Sequence, residues 1–396
     1  MKIAYISQEY PPSLRSGGIA SYIKEIASGM KDLGHEVTII TASDDTRTAS
    51  DVIENGIRVI RLKGGSFYIP QAEGGASWLR YIKKFRCFYR FWSYRKRIRN
   101  AVKEFGPFDI IEVPEYGCEA LYLNELTTPI VYRLHTASLM DFNNKGILPL
   151  TLRRLPIYIQ GKLELSVLRK KAIHISSCST STKEWTQNIV FGNEQDIKVI
   201  YNPIKIKGHD NKSYLNKSKH INIFYAGTIC ETKGVGDLYE TGKILEQRGC
   251  DFTITMAGKV GAYANTLYPQ PWLNMLGMIS RDEVMKRYSE ADIVCFPSWW
   301  ENMPMVCIEA MMCGALVIGS NSGGMSEIIS DGENGFLLPP KSPQLWADKI
   351  IEVQGLNVTR KQDISNNARQ RIKENFSSEV ISKRMEDFYM NIINRL

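Results

Sequence analysis

Two carboxylates, Glu301 and Glu309, stand seven residues apart in the run "SWWENMPMVCIEAMMCG" (298–314), whose positions 305–308 and 310–312 are apolar. A carboxylate desolvated among such neighbours needs a compensating polar partner. A lysine would serve, or simple snorkelling to solvent. So would a sugar hydroxyl or a ribose diol. Were Glu301 a covalent nucleophile in glycoside chemistry, a second carboxylate would be expected across the scissile bond as its acid/base partner.

Other residues could join them. Lys233 in "GTICETKG" is either a solvated loop cation or a mobile charge that stabilises an anionic leaving group. His135 closes the apolar run "PIVYRLH" (129–135), where a satisfied structural ring and a functional one are both open readings. Gly17-Gly18 precedes an amphipathic stretch from about Ile19 to Leu33. A glycine pair there is either a plain tight turn or a place where backbone amides approach phosphate at the positive end of a helix. It is not the full G-x-G-x-x-G fingerprint.

The elements that must hold these groups follow from the pattern. Short β-branched runs alternate with helical stretches, the signature of parallel sheets built from βαβ units. They are "KIAYIS", "EVTIIT", "IRVIRL", "DIIEV", "PIVYRLH", "IHISSC" and "KVIY" in the first half, then "INIFYAG", "FTITMAG", "DIVCFPS" and "ALVIGS". At 396 residues the chain exceeds what one core usually serves, so two domains are expected. The polar stretch "NPIKIKGHDNKSYLNKSKH" reads as the linker. We place an N-terminal domain at 1–202, a C-terminal domain at 203–375 and a final helix at 376–396 with an apolar stripe that could cross back to the first domain. Glu301 then lies just beyond a parallel strand and Glu309 on the following helix, with Pro304 expected at its first position. Ligands of open α/β sheets bind at that carboxyl edge.

The spacing Glu-x7-Glu, followed by "GALVIGSNSGGMSEIISDGENGFLLPP", closely resembles the retaining glycosyltransferases of family 4. "YPPSLRSGGIASYIKEIASGMKDLGHEVTIIT", "VYRLHT", "VIYNP" and "YAGTICETKG" fall in the family's order, so the resemblance spans nearly the whole chain, less well between about 64 and 105. It implies an α/β protein of the GT-B fold, two Rossmann-like domains with parallel sheets facing an interdomain cleft. The N-terminal domain would take the acceptor, the C-terminal one a nucleotide-sugar (NDP-sugar) donor. It further implies that Glu309 binds the nucleotide ribose and Glu301 approaches the transferred sugar. Backbone around Asn302, Met303, Pro304, Met305 and Val306 would contact sugar and phosphate. Gly17, Gly18, His135 and Lys233 would lie near the diphosphate and donor sugar, and the region of Gly277 near the base. The family requires no metal or other cofactor. Where many members carry arginine directly after the strand's glycine, this chain has Thr228, and a diphosphate cation is missing.

Composition adds one local feature. The net charge is +8, yet residues 78–103 alone hold ten Lys/Arg and no acid, interleaved with eight aromatics. Trp78, Tyr81, Ile82, Phe85, Phe88, Tyr89 and Trp92 share one helical face, with Lys83, Lys84, Arg86 and Arg90 off it. Such a helix suits an anionic membrane surface. Packing on its own domain and nucleic-acid binding compete, but no nucleic-acid fold signature accompanies the charges. With no apolar run of bilayer length and no signal peptide, the expectation is a cytoplasmic protein bound peripherally at the inner face of the membrane. Its partners would be a UDP- or GDP-sugar and a glycan acceptor carried on lipid or destined for cell-surface polysaccharide. The rival readings are a nucleotide-sugar epimerase or phosphorylase, and a non-catalytic peripheral membrane protein.

Overall fold

The computed structural model describes the chain except residues 14–16, 44–48, 65–76, 124, 141–154, 172, 193–194, 207–213, 215–218 and 396, and describes no side chain for 77–88, 155–157, 171 and 262. Two compact units result, Met1–Pro203 with Ser378–Leu396, and Ile204–Ser377.

In the first unit, β1 (Lys2–Ser7), β2 (Glu36–Ala42), β3 (Ser50–Glu54), β4 (Ile57–Leu62), β5 (Ile110–Pro114), β6 (Ile130–Leu134), β7 (His174–Ser177) and β8 (Ile197–Val199) form one sheet in the order β3-β4-β2-β1-β5-β6-β7-β8. All neighbours are parallel but β3 and β4. That hairpin turns on Asn55 and Gly56, both at positive φ, the pairing a two-residue turn demands. Helix α1 (Gly18–Asp32) follows β1. The unit also holds α2 (Ser77–Phe105), α3 (Leu155–Lys171) and α4 (Thr180–Thr186).

The described end of α2 buries Phe91, Tyr94, Ile98, Ala101 and Val102 in the core. Arg95, one of the ten basic residues, is buried with them and donates to the Gly117 carbonyl, so the segment's charge is not all on the surface. Arg90, Tyr89 and Trp92 face outward, Tyr89 with 72% exposure and Trp92 with 37%. The side chains of Trp78, Tyr81, Lys83, Lys84, Phe85, Arg86 and Phe88 lie outside the described residues.

The second unit has β9 (Ile221–Ala226), β10 (Phe252–Ala257), β11 (Leu273–Gly277), β12 (Ile293–Phe296), β13 (Leu316–Ser320) and β14 (Phe336–Leu338), all parallel, in the order β11-β10-β9-β12-β13-β14. Its helices are α5 (Val235–Gln247), α6 (Arg281–Glu290), α7 (Met305–Met312), α8 (Met325–Ile328), α9 (Pro343–Gly355) and α10 (Val358–Phe376). Ile223, Ile254, Ile293 and Ile318 from the central strands are all but inaccessible, as strands covered on both faces require. The last helix, α11 (Ser378–Ile393), belongs to the first unit, where Ile381, Met385, Tyr389 and Ile392 join Tyr22, Ile23 and Ile26 of α1 in one apolar cluster.

Candidate active site

The strand order of the second unit reverses between β9 and β12, and ligands of open α/β sheets bind outside the carboxyl ends of strands at such a switch point. The loop after β9 carries Thr228 and Lys233, and the loop after β12 carries Glu301. Gly234 ends the first loop at φ +67, and a Cβ there would meet the Pro297 carbonyl oxygen at 2.0 Å. Only glycine allows this approach, which, with Trp299 N donating to the Thr232 carbonyl at 3.0 Å, lays one loop against the other.

Their side chains meet. Lys233 Nζ pairs with Glu301 Oε1, and Ser298 Oγ donates to the same oxygen at 2.8 Å. The Glu301 backbone is fixed too. Its carbonyl accepts from Gly324 N at 2.8 Å, and Gly323, at φ +61, brings its Cα so close that a Cβ would lie 1.9 Å from that carbonyl oxygen. Glu301 is therefore a half-buried carboxylate held at both ends, with a cation from the neighbouring loop.

Pro304 is the N-cap of α7 rather than its first helical residue, since its ψ of 98° is extended and the helix begins at Met305. No side chain caps this end, leaving amides of the first turn for another acceptor. Met303 is buried, while Asn302, Met305 and Val306 are half-buried.

Glu309 lies one turn further on in α7. It pairs with Arg281 Nη2 at 2.8 Å, across from the start of α6, with 14% of its side chain exposed against 55% for Arg281. Its charge adds to burial in pushing the Tyr288 hydroxyl far above its ordinary range. Thr228 is exposed, and its carbonyl accepts from the Tyr225 hydroxyl at 3.0 Å. Gly277 ends β11 at φ +68 with open space where a Cβ would be.

The remaining candidates lie in the first unit. Gly17 is the N-cap of α1 and offers no capping side chain; both it and Gly18 are exposed, and Gly18 has open space where a Cβ would be. His135 directly follows β6. Its backbone amide donates to both Glu115 carboxylate oxygens at 2.8 Å, and its ring meets Tyr22 edge-on with centroids 4.9 Å apart. Nε2 is buried without a hydrogen-bond partner among the described residues. Burial, then the Arg133 charge, holds this imidazole well below its usual range, so it is neutral at physiological pH. Glu115 and Glu119 nearby are pushed up to about 8 by burial.

Sequence reasoning missed Arg281 and Ser298. It quoted Gly323 and Gly324 without a role. Arg281 had a signal: Ser280-Arg281-Asp282-Glu283 is a helix-start pattern in which a cation is out of place.

Residues 16–207 match the family described as Glycosyltransferase Family 4, and 207–371 match Glycosyl transferases group 1. An uncharacterized glycosyltransferase of Methanocaldococcus jannaschii is 26% identical over 98% of each chain. A D-inositol 3-phosphate glycosyltransferase of Pseudarthrobacter chlorophenolicus is 24% identical, covering 86% of this chain and 82% of its own. Among solved structures, sucrose-phosphate synthase from Thermosynechococcus elongatus superposes with a TM-score of 0.78 over 100% of both chains at 18% identity. Anabaena HepE in complex with UDP-glucose does so at 0.68, covering 99% and 100% of the two chains, again at 18%.

Proposed function

Since the chain is a glycosyltransferase of the family 4 type with the GT-B fold, we propose that it moves a hexose-type sugar from an NDP-sugar to a glycan acceptor with retention of anomeric configuration and without a metal. The acceptor is a lipid-linked glycan or a cell-surface polysaccharide precursor. The observation that carries the reading is Glu301, held at the β9/β12 switch point by Ser298 and Gly324 and paired with Lys233. A carboxylate so fixed can hydrogen-bond sugar hydroxyls, and Lys233 can leave it for a diphosphate.

In this reading the acceptor hydroxyl attacks the anomeric carbon on the face the nucleotide leaves. The bond from that carbon to the diphosphate oxygen breaks, the glycosidic bond forms, and the departing phosphate takes the acceptor's proton. Lys233 and the first-turn amides of α7 stabilise the growing charge. Glu309 holds the ribose, and Gly277 leaves room beside the base. Gly17, Gly18 and His135 are assigned to the donor sugar and its phosphates by the resemblance to family 4 alone. The UDP-glucose complex of the Anabaena neighbour favours UDP over GDP.

The test is direct. Purified protein is screened with UDP-, GDP- and ADP-sugars by thermal shift, where a donor at 100 times its Kd stabilises by about 2.7 kcal/mol. The product's anomeric configuration is then read by NMR. An inverted product removes the retaining mechanism, and an epimerised sugar or a sugar phosphate replaces the reading with a rival.

The lipid-linked acceptor rests on α2, whose outward Tyr89, Arg90 and Trp92 continue the aromatic and basic pattern. Sedimentation with anionic vesicles tests it. Wild type should pellet at low salt and less as salt rises, while the variant with Lys83, Lys84, Arg86 and Arg90 all changed to Gln should stay in solution. Equal pelleting of the two would dismiss the membrane role.

A further inference from the structure

Arg281 is the first residue of α6, the one turn of a helix where a cation opposes the macrodipole. The helix has no structural use for it there. Ser280 caps the end by accepting from Glu283 N at 3.2 Å, and Asp282 and Glu283 supply the acidic first turn that the dipole favours. A local rule broken at no local gain points to a role elsewhere. That elsewhere is Glu309, which sits among the buried Ile308, Ala310 and Met312 and takes the Arg281 guanidinium at 2.8 Å.

We infer that Arg281 is the positioning residue of the donor-nucleotide site: it holds Glu309 in one rotamer, so that the carboxylate presents a fixed acceptor to the vicinal hydroxyls of the ribose. The inference rests on the reading of Glu309 given above. It also explains why a glutamate that must accept hydrogen bonds from a ligand is stable when the site is empty, since burying it unpaired would be costly. A planar guanidinium fixes a carboxylate's orientation as a lysine's rotating ammonium does not. The side chain being 55% exposed, the pair adds little to folding. Its effect belongs to binding.

The experiment measures donor KM, kcat and calorimetric Kd for UDP, GDP and ADP in wild type, Arg281→Ala, Arg281→Lys, Glu309→Gln and the double variant Arg281→Ala/Glu309→Gln. Arg281→Ala should still fold, with a Tm lowered by no more than a few degrees, because relief of the clash with the helix dipole partly offsets the loss of Glu309's cation. Donor KM, and Kd for the preferred nucleotide, should rise about tenfold while kcat stays within about twofold, the pattern of lost uniform binding. Arg281→Lys should recover part of the affinity. On the Glu309→Gln background the same change should cost less than about twofold, because a residue that acts through Glu309 has nothing left to position.

An unchanged KM in Arg281→Ala overturns the inference, as does a loss confined to kcat. So does an undiminished effect in the double variant, which would mean that Arg281 acts on the donor by itself. Wild-type protein that binds none of the three nucleotides overturns the reading of the site as a whole, a result separable from all of these.

Discussion

The two units treat their carboxylates in opposite ways. In the first, Glu112, Glu115, Glu119 and Glu164 are each no more than 4% exposed, and burial pushes all four above the usual carboxylate range. Three of them answer mainly to neutral donors. Glu112 accepts from the hydroxyls of Tyr22 at 2.7 Å and Tyr389 at 2.6 Å; Glu115 accepts from the His135 amide; Glu164 accepts from Gly117 N, Ser138 and Gln160. In the second unit Glu301 and Glu309 keep 15% and 14% of their side chains exposed, and each takes a flexible cation, Lys233 or Arg281. A neutral-donor network is a fastening, closed and specific to one packing. A part-exposed carboxylate beside a sheet's switch point, paired with a cation from a neighbouring loop or helix, stays open to a ligand.

The largest effect expected from this contrast is on stability alone. Glu112→Ala would strand two buried tyrosine hydroxyls that join α11 and α1 to β5, a loss of about 1–3 kcal/mol for each. Urea unfolding should show it, with donor KM unchanged in the folded fraction. If donor KM shifts as strongly as the unfolding midpoint, the division into fastening and working carboxylates is wrong.

Glu301→Gln should do the reverse. Tm stays near wild type, and kcat drops by about 10²–10³, the cost typical of removing one electrostatic partner of a transition state. Glu309→Ala comes next, weakening donor binding by about 1.5–3 kcal/mol, the range for a lost hydrogen bond to a charged group, with kcat little changed. A variant pair in which Glu301 sets KM and Glu309 sets kcat would exchange their assigned roles.

Glu119 gives the contrast a pH signature. Its folded pKa, about 8, lies above the ordinary 4.5 because burial outweighs the Arg95 charge. The folded state therefore binds the proton more tightly, and the stability this gives is full below about 4.5 and lost as pH rises to about 8. Glu119→Gln cannot ionise. It should match wild type within about 1 kcal/mol below about pH 4.5 and show a shallower fall in Tm from there towards pH 8. A steeper fall in the variant would mean that Glu119 is ionised in the folded protein.

What the sequence disclosed divides along the same physical lines. The eleven expected strands all occur within a residue or two of their runs, because a central strand covered on both faces must be apolar throughout. The three that pattern reading missed, β3, β11 and β14, are edge strands, short or half-exposed, although Asn55-Gly56 announced the β3/β4 turn. Glu301, Glu309 and Lys233 were legible because charge in an apolar run or beside a glycine is conspicuous. Arg281 left only the trace of a cation out of place at a helix start; its pairing was not legible, since the partner is 28 positions away and only the crossing of α6 with α7 brings them within 2.8 Å. Arg95 illustrates the converse. Counted by sequence with the surface cations of α2, it proves to be core, its guanidinium satisfied by the Phe91 and Gly117 carbonyls.

Thr228 offers the smallest expected effect and the sharpest question about charge in the second unit. The resemblance to family 4 puts arginine there, and this chain has none, so Lys233 is left as the assigned diphosphate cation although Glu301 already holds it. The Thr228 side chain is exposed at the end of β9, and what the position contributes to packing is its backbone carbonyl, which accepts from Tyr225. Thr228→Arg should therefore fold as wild type does. An added exposed cation is worth about 0.2–1 kcal/mol, which corresponds to a fall in donor KM of roughly 1.5- to 5-fold at low ionic strength. The gain should shrink as salt rises, because exposed charges are screened over about 8 Å at physiological ionic strength. On a Lys233→Ala background the same substitution should restore part of the lost turnover, since either cation can face the departing phosphate. If it restores none while the single variant binds donor normally, the two loops do not share one anion, and the diphosphate lies beside Lys233 alone.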